Sequence, residues 1–272
     1  MIQDISPSRL DNSYRPSEPG STGCLLCFDS EGRLFADTRG SVLRFPTPKE
    51  VTAQKTVYAF SLDGTGFFIA LSEHSCTSES FGYHSIRELR DSFGGKEIFA
   101  AFTAYHLWKW YADNRFCGRC GESLSLHDTE RALRCPACGN VIYPRINPAV
   151  IVGVTKGDSI LITRYARGYA HNALVAGFTE IGETLEQTVA REVMEETGVR
   201  VRNIRYYKSQ PWGMAQDLLV GFFCDAEGDG EIRMDSNELK YARWVPRSEI
   251  VLQPNNLSLT NEMMQVFRDG CL

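Results

Sequence analysis

Residues 177 to 199, GFTEIGETLEQTVAREVMEETGV, are the stretch of this 272-residue sequence that decides its fold. Thr184, followed three residues later by Gln187, forms a capping-box pattern, which predicts that a helix begins there. Gly198 predicts the end of that helix, because glycine readily adopts the left-handed conformation that closes many helices. The helix is expected to bury a stripe of apolar side chains spaced four residues apart, namely Leu185, Val189 and Val193.

Six glutamates lie in these 23 residues, and three of them share one face of the predicted helix. Glu192, Glu195 and Glu196 stand at i, i+3 and i+4, so their carboxylates project together. Like charges at this spacing repel one another unless cations lie between them. Oxygen ligands of this kind suit Mg2+ or Mn2+, which usually act on phosphate substrates. An isolated EVMEE segment would more often be an ordinary solvated face, so the surrounding residues must decide.

The surrounding residues complete a longer pattern. It runs Gly177, five residues, Glu183, seven residues, Arg191-Glu192-Val193, one residue, Glu195-Glu196, one residue and Gly198-Val199. This stretch resembles the Nudix box with every fixed position filled, and the chain is identified as a member of the Nudix hydrolases. Such enzymes cleave nucleoside diphosphates linked to another group. The resemblance implies an α/β/α sandwich.

Composition and charge limit the other possibilities. The formal net charge of −5 gives no overall basic field for nucleic acid. We expect no membrane span, because no run of 18 apolar residues occurs, and no secretory signal, because the polar N-terminus lacks an apolar core. Nine cysteines without an export signal favour reduced thiols and metal ligation over disulfides, so we expect a cytoplasmic location.

Residues 1–112 predict a smaller, mostly β amino-terminal domain. Short apolar runs bounded by turn residues predict strands at Cys24 to Phe28, Thr56 to Leu62 and Gly66 to Leu71. Helical patterns follow at Ser85 to Ser92 and Phe99 to Tyr111. We interpret the C-x2-C pair inside the first strand as packing, because no second pair lies nearby. Little in this segment indicates chemistry by itself.

Residues 113–144 predict a zinc ribbon. Two C-x2-C pairs, each followed by glycine, are separated by 14 residues. Such pairs place four thiolates around one tetrahedral Zn2+ and leave no position for a catalytic water, so the metal is expected to be structural, one per chain. The alternative is four free thiols. Nucleic-acid binding by the ribbon is disfavoured, because acidic residues between the nearby arginines weaken their positive potential. The ligands are Cys117, Cys120, Cys135 and Cys138.

Residues 145–272 are predicted to form the catalytic domain. A hairpin signature joins Ala149 to Lys156 with Ser159 to Tyr165 through Gly-Asp. A strand at Ala173 to Phe178 leads into the acidic helix. Further strands are predicted at Arg202 to Ser209, Asp217 to Cys224 and Arg243 to Val245, with a closing helix at Asn261 to Phe267. The chain is therefore expected to be an α+β protein with a mixed sheet between helices.

Residues 116–268 also resemble one branch of the superfamily, the NADH pyrophosphatases. The ribbon directly precedes the Nudix segment, and Tyr143-Pro144 follows the last ribbon cysteine by five residues. Ser209-Gln210-Pro211-Trp212 lies where this branch has its signature. The branch continues with Pro-Phe-Pro and a later Ser, whereas this chain has Gly213 to Asp217, reading GMAQD. This departure leaves the preferred dinucleotide open.

The resemblance implies hydrolysis of the NAD(H) diphosphate to nicotinamide mononucleotide and AMP. Glu192, Glu195 and Glu196 would bind Mg2+ or Mn2+, with Glu192 favoured as the base. Two further metal ligands are expected, the carbonyl of Ala176 and the carboxylate of Glu238, with Asp235 as an alternative to Glu238. Catalysis would also need Glu183 and Arg191, which are expected to pair and hold the loop between them.

The same resemblance implies the substrate contacts. Tyr143 and Phe178 would sandwich one ring of the dinucleotide, and the loop from Gln210 to Asp217 would wall the substrate. Family contacts also align loosely with Glu130, Arg87 and Thr260. Arg87 would act across the interface of a homodimer, and removal of nicotinamide caps from RNA would break the same bond. The loop contacts expected are Gln210, Pro211, Trp212, Gly213, Met214, Ala215, Gln216 and Asp217.

Two other functions remain open from the sequence. The altered stretch Gly213 to Asp217 is compatible with another Nudix substrate, such as ADP-ribose or a dinucleoside polyphosphate. A protein of a different class would use the ribbon for binding or regulation and would have lost catalysis. The intact set of glutamates argues against that last possibility.

Overall fold

The computed structural model describes residues 1–166 and 171–271. It contains two compact units, which we call the amino-terminal unit (residues 2–145 with 212–216) and the carboxy-terminal unit (residue 1 with 146–211 and 217–272). Among the described residues, no helix is both long and apolar enough to cross a membrane.

The amino-terminal unit is mostly β-structure followed by two helices, as predicted. Its first sheet has the order β1-β5-β6-β2, and β3 pairs with β8 and β4 with β7. The elements up to the ribbon are β1 (Leu10–Asp11), β2 (Cys24–Leu26), β3 (Leu34–Ala36), β4 (Val51–Ala53), β5 (Thr56–Leu62), β6 (Thr65–Ala70), β7 (His74–Cys76), β8 (Gly82–His84), α1 (Ile86–Ser92) and α2 (Gly95–Asp113).

Both predicted helices of this unit are present. Ser85 caps α1 through a capping box with Glu88, in agreement with the predicted start. Helix α2 begins at Gly95, four residues before the predicted start, and it buries side chains around most of its circumference, including Phe102 and Trp110. A helix that is apolar on several faces gives no sharp periodicity at its ends, so the sequence pattern located its middle better than its first turn.

The ribbon within this unit is a small three-stranded antiparallel sheet. Its order is β11-β10-β9, so the strands follow one another as a meander. The cysteine pairs lie in turns outside the strands. The strands are β9 (Ser125–Leu126), β10 (Leu133–Arg134) and β11 (Val141–Ile142).

The carboxy-terminal unit is a six-stranded mixed sheet. Its order is β15-β16-β12-β13-β17, and β14 also pairs with β12. Strand β12 runs parallel to β16 and antiparallel to β13 and β14. The elements are β12 (Asn147–Lys156), β13 (Ser159–Tyr165), β14 (Val175–Phe178), α3 (Leu185–Thr197), β15 (Val201–Trp212), β16 (Asp217–Ala226), β17 (Leu239–Pro246), a 3-10 turn (Arg247–Glu249) and α4 (Leu259–Arg268).

The central strand β12 divides the core of this unit into two faces. Val150 and Val152 pack in a cluster with Val189 and Val193 of α3. Ile151, which points to the other side of the strand, joins a separate cluster that contains residues of α4. One helix therefore covers each face of the sheet, which is the predicted α/β/α arrangement. The apolar run in β12 is explained by burial on both faces.

The predicted limits of α3 are confirmed. Thr184 accepts a hydrogen bond from the backbone N–H of Gln187, whose side chain caps Thr184 in return, and Gly198 ends the helix at φ 70°. Two outer strands are longer than predicted. Strand β15 extends beyond Arg202 to Ser209, and β17 extends beyond Arg243 to Val245. Both lie at sheet edges and carry many exposed polar residues, which weakens the apolar alternation used to find them.

Candidate active site and metal centres

The acidic helix and strand β14 meet at Gly177. Gly177 pairs with Val150 in the sheet, and the Glu192 carboxylate passes directly over its backbone. A Cβ added at Gly177 would lie 1.9 Å from the carboxyl carbon of Glu192. Only glycine therefore lets the carboxylate occupy this position, which gives the first residue of the 177–199 pattern a physical reason.

Glu196 is the buried acid of the site. It is only 2% exposed, and its Oε2 atom has no hydrogen-bond partner. Burial, followed by the negative charges of Glu192 and Glu238, raises the pKa of Glu196 to about 8, although the Ala176 backbone N–H opposes the shift. A carboxylate oxygen without a partner at this depth is costly unless a cation accompanies it.

Arg191 organises the exposed side of the acidic helix. Its Nε and Nη2 atoms donate to both oxygens of Glu183 at 2.6 and 2.9 Å, and Nη2 also donates to the Phe178 carbonyl at 3.0 Å. Its Nη1 atom donates to Glu192 at 2.8 Å and to Glu195 at 3.0 Å. The hydrogen bonds from Arg191 hold the pKa of Glu183 down to about 2. This guanidinium therefore ties the loop before the helix to the helix itself.

A fourth acid approaches from outside the helix. Glu238 is exposed and immediately precedes β17. Burial is the main cause of the raised pKa of both Glu192 and Glu196, and the negative charge of Glu238 adds to it. The carboxylate of Asp235, the alternative ligand, accepts instead from the backbone N–H and the side-chain amide of Asn237, at 2.8 and 3.0 Å. The negative potential of these acids extends to Tyr165, whose pKa is raised first by burial and then by Glu196, Glu192 and Glu238.

These residues fit a divalent cation. The donor set consists of hard carboxylate oxygens, and the buried Glu196 oxygen lacks any partner. The Glu192 and Glu195 side chains are turned onto Arg191, so the carboxylates do not converge as tightly as the ribbon thiols. Within residues 1–166 and 171–271, those thiols alone form a compact group of three or more metal-ligating atoms.

The ribbon thiols form a closed metal centre. The sulfurs of all four cysteines lie within 4.8 Å of one another, including pairs at 3.4 and 3.6 Å. Four sulfurs placed about 2.3 Å from one Zn2+ would lie about 3.8 Å apart, which matches this spacing. The backbone N–H of Arg119 lowers the pKa of Cys117 to about 6, and that of Cys138 lowers the pKa of Cys135. Both effects favour the thiolates that zinc binds.

The predicted substrate residues of the carboxy-terminal unit fall into two groups. Phe178 is 50% exposed and presents a ring at the end of β14. Thr260 is partly exposed near the start of α4. Gln210 is fully buried, and its amide donates to the Leu257 carbonyl and accepts from the Leu259 N–H, each at 2.8 Å. Gln210 therefore braces the start of α4, and Asp217 is also buried, with its Oδ1 lacking a partner.

The predicted substrate residues of the amino-terminal unit also differ in exposure. Tyr143 is 56% exposed, and its hydroxyl donates to Glu130 at 2.9 Å. Arg87 is exposed on α1. Met214 is partly exposed, Ala215 is exposed and Gly213 is buried, while Pro211, which belongs to the carboxy-terminal unit, is exposed. Trp212 packs on Phe102 of α2 with ring centroids 5.0 Å apart.

Two features were missed by sequence reasoning. Tyr165 ends β13 inside the field of the acidic cluster, and its position at a strand end beside the Nudix segment was the only available signal. The second feature is a network in the amino-terminal unit, in which His106 donates to the Arg145 carbonyl at 2.7 Å and Arg145 donates to Gln216. These partners lie 39 and 71 residues apart, so no local pattern reveals them.

The sandwich, the acidic helix and the Arg191 contacts define a Nudix domain, and residues 145–267 match the NUDIX domain family. Residues 145–267 therefore form a domain of the Nudix hydrolase superfamily. Residues 112–143 match the NADH pyrophosphatase zinc ribbon domain, which places the chain in the ribbon-bearing NADH pyrophosphatase branch. The predicted family, branch and fold are thereby confirmed.

Curated relatives support the same branch. The chain is 40% identical to the NAD-capped RNA hydrolase NudC of Enterobacter sp. (strain 638), over 62% of this chain and 66% of that protein. It is 41% identical to the protein of the same name from Salmonella typhi, again over 62% and 66%. The match thus spans just under two thirds of these relatives. A NUDIX hydrolase structure from Nitrosomonas europaea has a TM-score of 0.49 at 23% identity, covering 57% of this chain and 91% of that one, which adds nothing to the assignment.

Proposed function

We propose that this protein hydrolyses the diphosphate of NAD(H) to nicotinamide mononucleotide and AMP, and that it also removes NAD caps from RNA. The observation that carries the chemistry is the buried, unpartnered oxygen of Glu196 among three further carboxylates. The matched ribbon and the relatives called NAD-capped RNA hydrolase support the substrate. A cytoplasmic location, which rests on the cysteine content, and a homodimer, which rests on the family resemblance, also belong to this proposal.

Mg2+ or Mn2+ would be held by Glu192, Glu195, Glu196 and Glu238, together with the Ala176 carbonyl. When bound, such a cation neutralises the substrate diphosphate and acidifies a coordinated water. Arg191 would keep Glu183 and the loop after Phe178 fixed against the helix, which limits the motion of the acids during turnover. Glu192, seated over Gly177, is the carboxylate proposed to accept the proton of the attacking water.

Aromatic rings are proposed to recognise the flat parts of the substrate. Phe178 and Tyr143 each present a ring that is about half exposed, at 50% and 56%. Stacking of a base on such a ring contributes about 1–3 kcal/mol in single-stranded nucleic acid complexes. Gln210 is proposed to act indirectly, because its side-chain amide is already bonded to the segment that starts α4.

The proposal is tested by product analysis with a panel of substrates. The purified protein would be incubated with NADH, NAD+, ADP-ribose, diadenosine polyphosphates and NAD-capped RNA, in Mg2+ and then in Mn2+. We expect NADH or NAD+ to yield AMP and the corresponding mononucleotide, and capped RNA to yield 5′-monophosphate RNA. Rapid cleavage of ADP-ribose with no turnover of the nicotinamide substrates would favour the other Nudix function and contradict this one.

A further inference from the structure

Arg145 is an exposed cation that none of the described acids neutralises. Its guanidinium Nη2 donates to the side-chain oxygen of Gln216, and none of the described carboxylates forms an ion pair with it. Many other surface arginines of this chain do have acidic partners, as Arg44 and Arg191 illustrate. A neutral amide fixes the direction of the guanidinium and leaves its positive charge available to a ligand.

The backbone of Arg145 is fixed as well. The Nε2 atom of His106 donates to the Arg145 carbonyl at 2.7 Å. Burial lowers the pKa of His106, so this imidazole is neutral at pH 7 and its Nε2 carries the proton. His106 lies on α2, a 19-residue helix, which provides a rigid support. Both ends of Arg145 are therefore held by other residues of the same unit.

Gln216 is built into the unit rather than displayed on its surface. It is 5% exposed, adopts a left-handed φ of 56° and leaves its Nε2 atom without a partner. The turn that presents it is pressed onto α2, because a Cβ at Gly213 would lie 2.0 Å from the Phe102 carbonyl oxygen. The stretch Gly213 to Asp217, which departs from the signature of the branch, thus permits close packing that places Gln216 against Arg145.

We propose that Arg145 binds a phosphate of the substrate and that Gln216 is the residue that positions it. A guanidinium offers a fork of N–H donors that matches phosphate oxygens, and a neutral positioning partner does not compete for its charge. The Gln216 Nε2 atom supplies a second donor that is already buried and unused. This inference rests on the proposed function, since the phosphate belongs to the dinucleotide or to the RNA chain joined to it.

The test compares Arg145→Ala, Gln216→Glu and a matched control, Arg134→Ala. Arg134 is exposed in the same unit, and none of the described acids pairs with it. All three changes would be made in full-length Glu196→Gln protein, so that bound substrate is not consumed. Binding would be followed by the intrinsic fluorescence of NADH and by the anisotropy of labelled NAD-capped RNA, with thermal melting recorded for each protein.

We expect Arg145→Ala to weaken binding about tenfold relative to the control, the usual loss for one charge-assisted hydrogen bond. Gln216→Glu should weaken binding to a similar extent while melting no lower than its parent, because the new carboxylate would neutralise Arg145 without disturbing its position. A purely structural Gln216 would give the opposite result, with binding unchanged. Loss with both probes assigns the phosphate to the dinucleotide, whereas loss with capped RNA alone assigns it to the RNA chain.

Other outcomes separate this inference from the proposed function. If Arg145→Ala matches Arg134→Ala with both probes, the inference is wrong while cleavage by the wild type stands. If the wild type binds both probes and cleaves neither, the proposed function is wrong and the arginine comparison still decides the inference. If the wild type neither binds nor cleaves either probe, both are overturned.

Discussion

The two candidate metal centres of this chain solve opposite problems. In the ribbon, four thiols lie within 4.8 Å of one another, and backbone N–H groups lower the pKa of Cys117 and of Cys135. In the Nudix domain, the carboxylates spread over a helix face and repel one another, and burial raises the pKa of Glu196 to about 8. The ribbon is arranged to keep its ion. The acidic site instead carries negative charge that is not compensated within the protein, and a cation bound together with the substrate can compensate it.

The comparison teaches that the two metal centres serve different purposes because their ligands are arranged differently. The closed set stabilises the fold, whereas the partly open set serves catalysis. A closed set of four sulfurs leaves no place for water and replaces the core that so small a segment lacks. A partly open acid set tolerates unfavourable electrostatics in the folded state, as functional sites commonly do. Changes at the acids should therefore affect turnover, and changes at the thiols should affect folding.

The largest effect is expected at the buried acid. Glu196→Gln removes the charge that faces the proposed cation, so turnover of NADH should fall at least about 10^3-fold, equivalent to about 4 kcal/mol of barrier. Folding should persist, because the amide needs no counterion. Chromatographic product assays and thermal melts would be run beside Glu186→Gln, an exposed acid of the same helix. Normal turnover would remove Glu196 from the site.

The ribbon should respond in the opposite way. Cys135→Ser removes one of four zinc ligands from a buried position, so we expect loss of zinc and about 3 kcal/mol or more of destabilisation. Metal analysis and chemical denaturation would be compared with Cys271→Ser, since Cys271 is exposed and outside the ribbon. Retention of one zinc per chain would refute the four-cysteine assignment.

Gly177→Ala tests whether the acid geometry depends on the strand beneath it. The added methyl would overlap the Glu192 carboxyl carbon, placed only 1.9 Å away, and would displace that side chain. Turnover is expected to fall about 100-fold, with about 1–3 kcal/mol of destabilisation from overpacking. Gly20→Ala is the control, because a Cβ there meets nothing within 4 Å. Equal activity of the two variants would show that turnover does not depend on the position of the Glu192 carboxylate over Gly177.

Gln210→Ala should behave as a structural change although it lies in the signature of the branch. Its removal leaves the Leu257 carbonyl and the Leu259 N–H without their partner, a loss of about 2 kcal/mol of stability. The exposed Gln54→Ala serves as the control in denaturant titrations. An unchanged midpoint, combined with a large loss of substrate affinity, would instead make Gln210 a direct substrate contact.

The smallest effect is expected at Asp217 and depends on pH. Burial raises the pKa of this carboxyl from 3.8 to about 7, so the folded protein keeps a proton that the unfolded chain releases. Wild-type stability should therefore fall as pH rises from about 4 to about 7, and Asp217→Asn should not show this fall. Melting temperatures of the two should converge near pH 4 and differ by a few degrees at pH 8.

Asp128→Asn, an exposed acid, is the control for that titration. A constant difference between Asp217→Asn and wild type at every pH would show that the substitution acts through packing. A wild type that is the more stable protein at pH 8 would mean that the Asp217 carboxylate has found a favourable partner, in conflict with its unpartnered oxygen.

Local signals explain what the sequence predicted well. Thr184, Gln187 and Gly198 specify the limits of the acidic helix because capping depends on residues within one turn. The ribbon spacing fixes its four ligands, and the burial of β12 on both faces follows from its apolar run. These features are encoded by neighbours in the chain, so one sequence suffices to find them.

Long-range contacts explain what the sequence could not reveal. The signature predicts that Gln210 contacts the substrate, whereas its side chain accepts a hydrogen bond from Leu259 at the start of α4, 49 residues along the chain. Arg145 and Gln216 are joined across 71 residues. The close approach of Gly213 to α2 likewise depends on packing that no spacing rule specifies. The motifs therefore predict the reaction of the branch more reliably than the role of each residue within it.

The central claim is that the acids of α3 hold a divalent cation, and Mn2+ binding to the zinc-loaded protein tests it most directly. Electron paramagnetic resonance would count free Mn2+ in titrations of wild type and Glu196→Gln, with zinc content measured in both. We predict saturable Mn2+ binding by the wild type, at least about tenfold weaker binding by the variant, and equal zinc in the two. Identical Mn2+ binding by both proteins would contradict the account.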